Sequence, residues 1–136
     1  MRKTPEMTRT ILRNLSVALF VLAVASCSKM PTGDRGNWVG YTESGQASFY
    51  ADKFQNRKTA SGEPYRHNLE TAAHKKMPFG SIVKVTNKNN GRSVIVRIND
   101  RGPFVKGRVI DLSKSAFSRI GSLSSGLVNV KINVIR

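Results

Sequence analysis

The chain has one cysteine, Cys27, in 136 residues. No disulfide can form within it, so its core must be held by apolar packing alone. Its only histidines, His67 and His74, are separated by six residues, and with no further thiol they do not make a zinc constellation. Nor is there a glycine-rich loop of the phosphate-cradling kind. No metal site and no cofactor is therefore expected. Acidic residues are also scarce, 8 Asp+Glu against 23 Lys+Arg, for a net charge of +15. Such a balance raises the question of nucleic acid, but aromatic residues are only 7% of the chain and no basic helix or aromatic stacking motif accompanies the charge. Long apolar runs are missing too. The longest, Leu15 to Ala25, has eleven residues broken only by Ser16. As a helix it would rise about 17 Å, half of a bilayer core, which argues against a permanent transmembrane span.

What is present at the N-terminus is the three-part layout of a secretory signal. Arg2, Lys3, Arg9 and Arg13 precede the apolar run, and Val24-Ala25-Ser26-Cys27 follows it. That tetrapeptide resembles the bacterial lipobox, in which small residues precede a cysteine that is acylated and exposed by cleavage. Lipidation of Cys27 accounts for a lone cysteine in an exported protein, and several acyl chains anchor stably where one is marginal. Ser28, not an aspartate, comes next, which in a Gram-negative host resembles a signal for transfer to the outer membrane. Met7 is an alternative start. The expected location is the cell envelope, lipid-anchored, on the periplasmic face of the outer membrane if the host is Gram-negative. Export also argues against nucleic acid as a partner. Removing residues 1–26 leaves 110 residues with 19 Lys+Arg and 7 Asp+Glu, a charge of +12. That length suits one small domain. The anionic polymers of the envelope are the partners such a charge would meet.

Residues 27–45 read as a lipidated tether, rich in glycine and polar residues and without periodicity. Trp38 and Tyr41 are its exceptions, and three readings stand open for them: docking on the domain, meeting ligand, or loosely ordered aromatics. From Gln46 the periodicity is two. Strands are expected over Ala47–Tyr50, Ile82–Thr86, Ser93–Ile98, Val109–Leu112 and Val128–Val134, with a hairpin turn at Asn87-Lys88-Asn89-Asn90-Gly91. Ser113 is a plausible N-cap for one short helix carrying Ala116, Phe117 and Ile120, with Gly121 at its stop. About six strands and one helix in roughly ninety residues suit a small closed barrel, because closure removes exposed edges. Ala51–Phe79 shows little strand pattern and is too long for an ordinary connection. It holds Glu63 and both histidines, so it is the first place to look for a site.

Five segments, in this order, resemble the rare lipoprotein A (RlpA) family: Gln46 to Tyr50, Thr59-Ala60-Ser61-Gly62-Glu63-Pro64-Tyr65, Thr71-Ala72-Ala73-His74, Asn99-Asp100-Arg101-Gly102-Pro103-Phe104 and Gly107-Arg108-Val109-Ile110-Asp111-Leu112-Ser113. The resemblance covers residues 46–136. It implies an all-β fold, a six-stranded double-psi β-barrel with one short helix. It also implies an endolytic lytic transglycosylase that cleaves the MurNAc–GlcNAc bond of peptidoglycan, on strands lacking stem peptides, with 1,6-anhydro-MurNAc formation. Division-site proteins are further partners it suggests. Many members add a C-terminal glycan-binding repeat domain. This sequence stops at Arg136, after the last expected strand, so Cys27 and the tether are expected to do the targeting.

Lytic transglycosylation asks for one carboxyl that protonates the glycosidic oxygen, while the muramyl C6 hydroxyl replaces water as nucleophile. The second carboxylate of hydrolysing glycosidases is not obligatory. By match to the family motifs the catalytic candidates are Glu63, His74 and Asp100. Asp111 joins them because its Ile-Asp-Leu-Ser setting resembles the segment carrying the key aspartate in expansins, family 45 endoglucanases and membrane-bound lytic transglycosylase A, a fold-level analogy. Asp100 can also serve as a turn former bonded to backbone amides, and Asp111 as a helix cap or a partner of Arg108. Glu63 has no evident local structural duty, and His67 matches no motif position and reads as surface. One position departs from the family pattern: Arg66 stands where a second acid is typical. A cation there is expected to lower the pKa of Glu63 and weaken it as a proton donor. The competing reading is a non-catalytic, expansin-like peptidoglycan-binding lipoprotein.

Overall fold

The computed structural model describes residues 38–136. The signal segment, Cys27 and residues 28–37 of the tether lie outside the described residues. Six strands, β1 (Thr42–Phe49), β2 (Thr71–Ala73), β3 (Ile82–Asn87), β4 (Ser93–Asp100), β5 (Arg108–Leu112) and β6 (Val128–Val134), accompany one helix, α1 (Lys114–Ile120). The strands close in the order β1-β5-β2-β4-β3-β6. β1 runs parallel to β5 and β2 parallel to β4, while every other pairing is antiparallel. This is the mainly-β, six-stranded barrel with one helix that the periodicity and the resemblance lead one to expect.

The strands form where alternation lets one face go inside. In β6, Val130, Ile132 and Val134 are buried while Asn129 and Lys131 face out, and in β4, Val94, Val96 and Ile98 are buried. Closure then buries these rows from all sides, each large aliphatic side chain contributing about 1.5–3 kcal/mol relative to exposure. At the β3–β4 turn Gly91, with φ +75°, donates its N–H to the Asn87 carbonyl at 2.9 Å. Ser113 caps α1, its hydroxyl accepting from Ala116 N at 3.2 Å, and Ala116, Phe117 and Ile120 enter the core. The Nδ2 groups of Asn87 and Asn90 donate to the Ile120 carbonyl at 2.7 and 2.9 Å, so the hairpin turn satisfies the end of the helix.

Two boundaries differ from the sequence expectation. β1 begins at Thr42, so the stretch 42–45 assigned to the tether is strand, paired with β6 through Thr42↔Asn133 to Gly45↔Val130. It alternates weakly because it holds Ser44 and Gly45. β2 was expected to be loop. Its three residues are all buried, paired to β4 on one side and β5 on the other, and a strand covered on both faces shows no alternation to read.

Two irregularities matter for function. Ala72 pairs with Ile98 and Ala73 with Asp100, leaving Asn99 as an extra residue on β4. Gln46 pairs with Arg108 and Ala47 with Ile110, leaving Val109 as an extra residue on β5. Bulges of this kind re-aim the residues that follow, and those that follow here include Asp100 and Asp111.

Candidate active site

Ala73 of β2 lies between Asp100 on β4 and Asp111 on β5, each its register partner. Two strand spacings therefore separate the aspartate backbones, about 10 Å. Both carboxylates line one groove of about 1090 Å³, together with Ser48 and Tyr50 at the end of β1. Arg57, Lys58, Arg101 and Arg108 make the groove basic, and Phe104, 81% exposed, stands on its rim.

The carboxyl of Asp100 is held entirely by uncharged donors. Its Oδ1 accepts from the backbone N–H groups of Ala60 and Arg101, both at 2.9 Å, and its Oδ2 accepts from the Tyr50 hydroxyl at 2.5 Å. The guanidinium of Arg101 turns away, donating to the Met77 and His74 carbonyls at 2.8 and 3.3 Å and lying 4.0 Å from the centre of the Phe79 ring. Asp111 is different. Its Oδ1 accepts from Ser48 at 2.6 Å and from Arg108, an ion pair that occupies the charge. It does not cap α1, a task Ser113 performs.

Glu63 is not among the residues that line this groove. It has a structural partner that the sequence did not disclose: Arg97 of β4 binds both carboxylate oxygens, with Nη2 to Oε2 at 2.9 Å. That hydrogen bond and the Arg97 charge hold the Glu63 carboxyl below its ordinary range. The expectation that Arg66 would do so is corrected, because the Arg66 side chain donates to Asn56 Oδ1 at 2.6 Å instead. The loop carrying Glu63 is closed by Thr59, whose N–H and hydroxyl both bond the Glu63 carbonyl at 2.8 Å. This loop delivers the Ala60 N–H to Asp100.

His74 is buried, and its side chain contacts a different set of residues. Nδ1 accepts the N–H groups of Lys76 and Met77, both at 3.0 Å, so the ring proton sits on Nε2 and is donated to Glu43 Oε2 at 3.0 Å. Desolvation lowers the His74 pKa, partly offset by the bond to Glu43 and its charge. Trp38 lies edge-on to this ring at 6.4 Å and to Tyr41 at 5.0 Å. Trp38 packs on the core, as the docking reading expects. Of the four candidates, then, Asp100 and Asp111 come together and Glu63 and His74 flank them through the backbone.

Sequence reasoning passed over Tyr50, Ser48, Arg97 and Glu43. Each is a single residue on a strand or strand end whose partner is at least 31 residues away, so no local spacing could reveal it. His67, read as surface, is half-buried: its Nδ1 lies 2.7 Å from the Tyr65 hydroxyl and its Nε2 lies 2.9 Å from Asp52 Oδ1. Tyr65 in turn stacks on Tyr50 with ring centres 4.2 Å apart.

A profile of the family described as lytic transglycolase matches residues 42–132. The endolytic peptidoglycan transglycosylase RlpA of Pasteurella multocida (strain Pm70) is 59% identical over 97 residues, which are 71% of this chain and 33% of that protein. The chain spans 33–42% of the length of the curated relatives it matches first. Two solved structures show likeness of fold alone. Streptomyces papain inhibitor has a TM-score of 0.60 at 24% identity, over 72% of this chain and 97% of that one. The expansin of Clavibacter michiganensis, without ligand, has a TM-score of 0.55 at 22% identity, over 71% and 51%.

Proposed function

The chain belongs to the lytic transglycolase family of double-psi β-barrels, and from that premise we propose that it is an endolytic peptidoglycan lytic transglycosylase in which Asp100 is the acid. The observation that carries this reading is the setting of Asp100: among the described residues it is a groove carboxyl with no cationic side chain bonded to it. Glu63 and Asp111 are each paired with an arginine, and that pairing holds the Glu63 carboxyl below its ordinary range. Among the candidate acids, Asp100 is thus the one with no ion-pair partner to displace before it meets the leaving oxygen.

In this mechanism Asp100 gives its proton to the oxygen of the MurNAc–GlcNAc bond. As the C1–O bond breaks, the muramyl C6 oxygen attacks C1, and its proton passes to the Asp100 carboxylate. The 1,6-anhydro-MurNAc product forms without water, and the enzyme returns to its starting protonation. Asp111, held by Arg108 and Ser48, faces the same groove as a negative charge that stabilises the oxocarbenium-like state. Glu63 and His74 act at one remove. Glu63 fixes the loop that bonds Asp100, and the His74 backbone N–H bonds the Asp100 carbonyl at 3.2 Å.

The basic groove supports a preference for strands without stem peptides. Removing the peptide frees the lactyl carboxylate of each muramic acid, and Arg57 and Lys58 line the groove where such a charge would pass. We further read Cys27 as the lipid-bearing N-terminus of the mature protein, holding the barrel in the cell envelope, at the periplasmic face of the outer membrane in a Gram-negative host. Division-site proteins are partners consistent with that location. The test of function is incubation of the full-length protein, in detergent, with amidase-treated sacculi, followed by mass spectrometry. Anhydro-muramyl products are expected. Pelleting with sacculi but no anhydro product would leave the glycan-binding alternative in its place.

A further inference from the structure

Resting on Asp100 as the acid, we infer that Tyr50 is a positioning residue that leaves the Asp100 carboxyl a single seat for its transferable proton. A carboxylate has two oxygens with two acceptor sites each. The N–H groups of Ala60 and Arg101 take both sites of Oδ1. The Tyr50 hydroxyl takes one site of Oδ2 at 2.5 Å. One site of Oδ2 remains, so the proton that Asp100 delivers sits there, and the leaving oxygen must approach that atom. When the proton has gone, the Tyr50 O–H remains as a short, charge-assisted bond to the carboxylate left behind.

The hydroxyl is fixed from behind. The Tyr50 ring stacks on Tyr65 at 4.2 Å with 25° between planes and meets Phe54 edge-on at 5.8 Å. Tyr65 is 1% exposed, and its own hydroxyl accepts from Lys114 N at 3.2 Å and bonds His67 Nδ1 at 2.7 Å. A ring clamped this way keeps its hydroxyl on Asp100. Burial, then the bond to Asp100 and its charge, hold the Tyr50 hydroxyl far above the ordinary tyrosine pKa, so it donates at every pH at which the protein works.

Tyr50→Phe keeps the ring stack and removes only the donor. A bond to a charged group corresponds to roughly a tenfold to hundredfold effect on rate. The full-length variant is expected to lose that much in kcat on amidase-treated sacculi, with KM changed less than about threefold. The alkaline limb of its pH–rate profile should move to higher pH, because the carboxylate has lost a stabilising donor. The other charged residues that line the groove with Asp100 (Asp111 and Arg108 on β5, Arg57 and Lys58 after β1, and its neighbour Arg101) are the same in both proteins, so they cannot produce that move. An unchanged kcat and profile in Tyr50→Phe, beside an inactive Asp100→Asn, overturns the role of Tyr50 alone. Wild-type turnover in Asp100→Asn overturns Asp100 as the acid.

Discussion

Glu63 and Arg97, thirty-four residues apart, form a two-pronged ion pair that pins the loop carrying Ala60 against Asp100. Both side chains are about two-fifths exposed, so the pair itself stabilises the fold by no more than about 1 kcal/mol. Its consequence lies in where Ala60 stands. Glu63→Gln is therefore expected to lower turnover several-fold while shifting urea unfolding by less than about 1 kcal/mol. Equal turnover in the variant would sever the loop from the acid.

Asp100 and Asp111 share a groove but not a role, and their amide variants should separate. General acid catalysis contributes about 10²- to 10⁴-fold, so Asp100→Asn should lose at least a hundredfold while still pelleting with sacculi. Asp111→Asn keeps an acceptor for Ser48 and loses the charge that faces both Arg108 and the groove. A loss of about tenfold is expected there. Steady-state assays of the two proteins side by side rank them.

His74 makes stability fall on mild acidification. Its Nδ1 accepts two backbone N–H groups, and a proton there would set donor against donor. With the folded pKa depressed, chiefly by desolvation, the unfolded chain binds the proton more readily. The stabilisation is complete above the ordinary histidine value near 6.5. It is lost as pH falls from there through the folded value. Urea midpoints should drop between pH 7.5 and 5.5, and His74→Gln should flatten that slope.

Gly45 faces the bulge at Val109. A Cβ built there would collide with the Val109 side chain and come within 3.1 Å of the Gly107 carbonyl. Val109 is stiff at χ1 and cannot step aside. Gly45→Ala should destabilise the barrel by about 1–3 kcal/mol, as overpacked sites do. Thermal unfolding would register it, and an unchanged midpoint would mean that β5 yields.

Cys27 lies outside the described residues, and its lipidation is testable in cells. Cys27→Ala should move the protein from the membrane fraction to the soluble one. Membrane association equal to that of the wild type would refute the anchor.

The barrel was legible where its strands are half-buried. Val94-Val96-Ile98 and Val130-Ile132-Val134 alternate because one face of each strand is core and the other is water. The capping serine at 113 and the Asn-Gly turn at 87–91 were legible because each acts within a few residues of itself. β2 was not, since it is covered on both sides, and neither was the start of β1, where Gly45 replaces an apolar residue.

The sequence by itself determined the fold class, the family and three acids worth testing, since periodicity and ordered motifs are local properties of the chain. Only the tertiary structure decided which acid stands free. Arg97 claims Glu63, Arg108 claims Asp111, and Asp100 is left with Tyr50 and two backbone amides. Asp100 and Asp111 converge because two strand bulges and the crossover of two parallel strand pairs bring distant strand ends to one groove. The environment of a carboxyl is set by neighbours in space, and for these residues most such neighbours are far away in the chain.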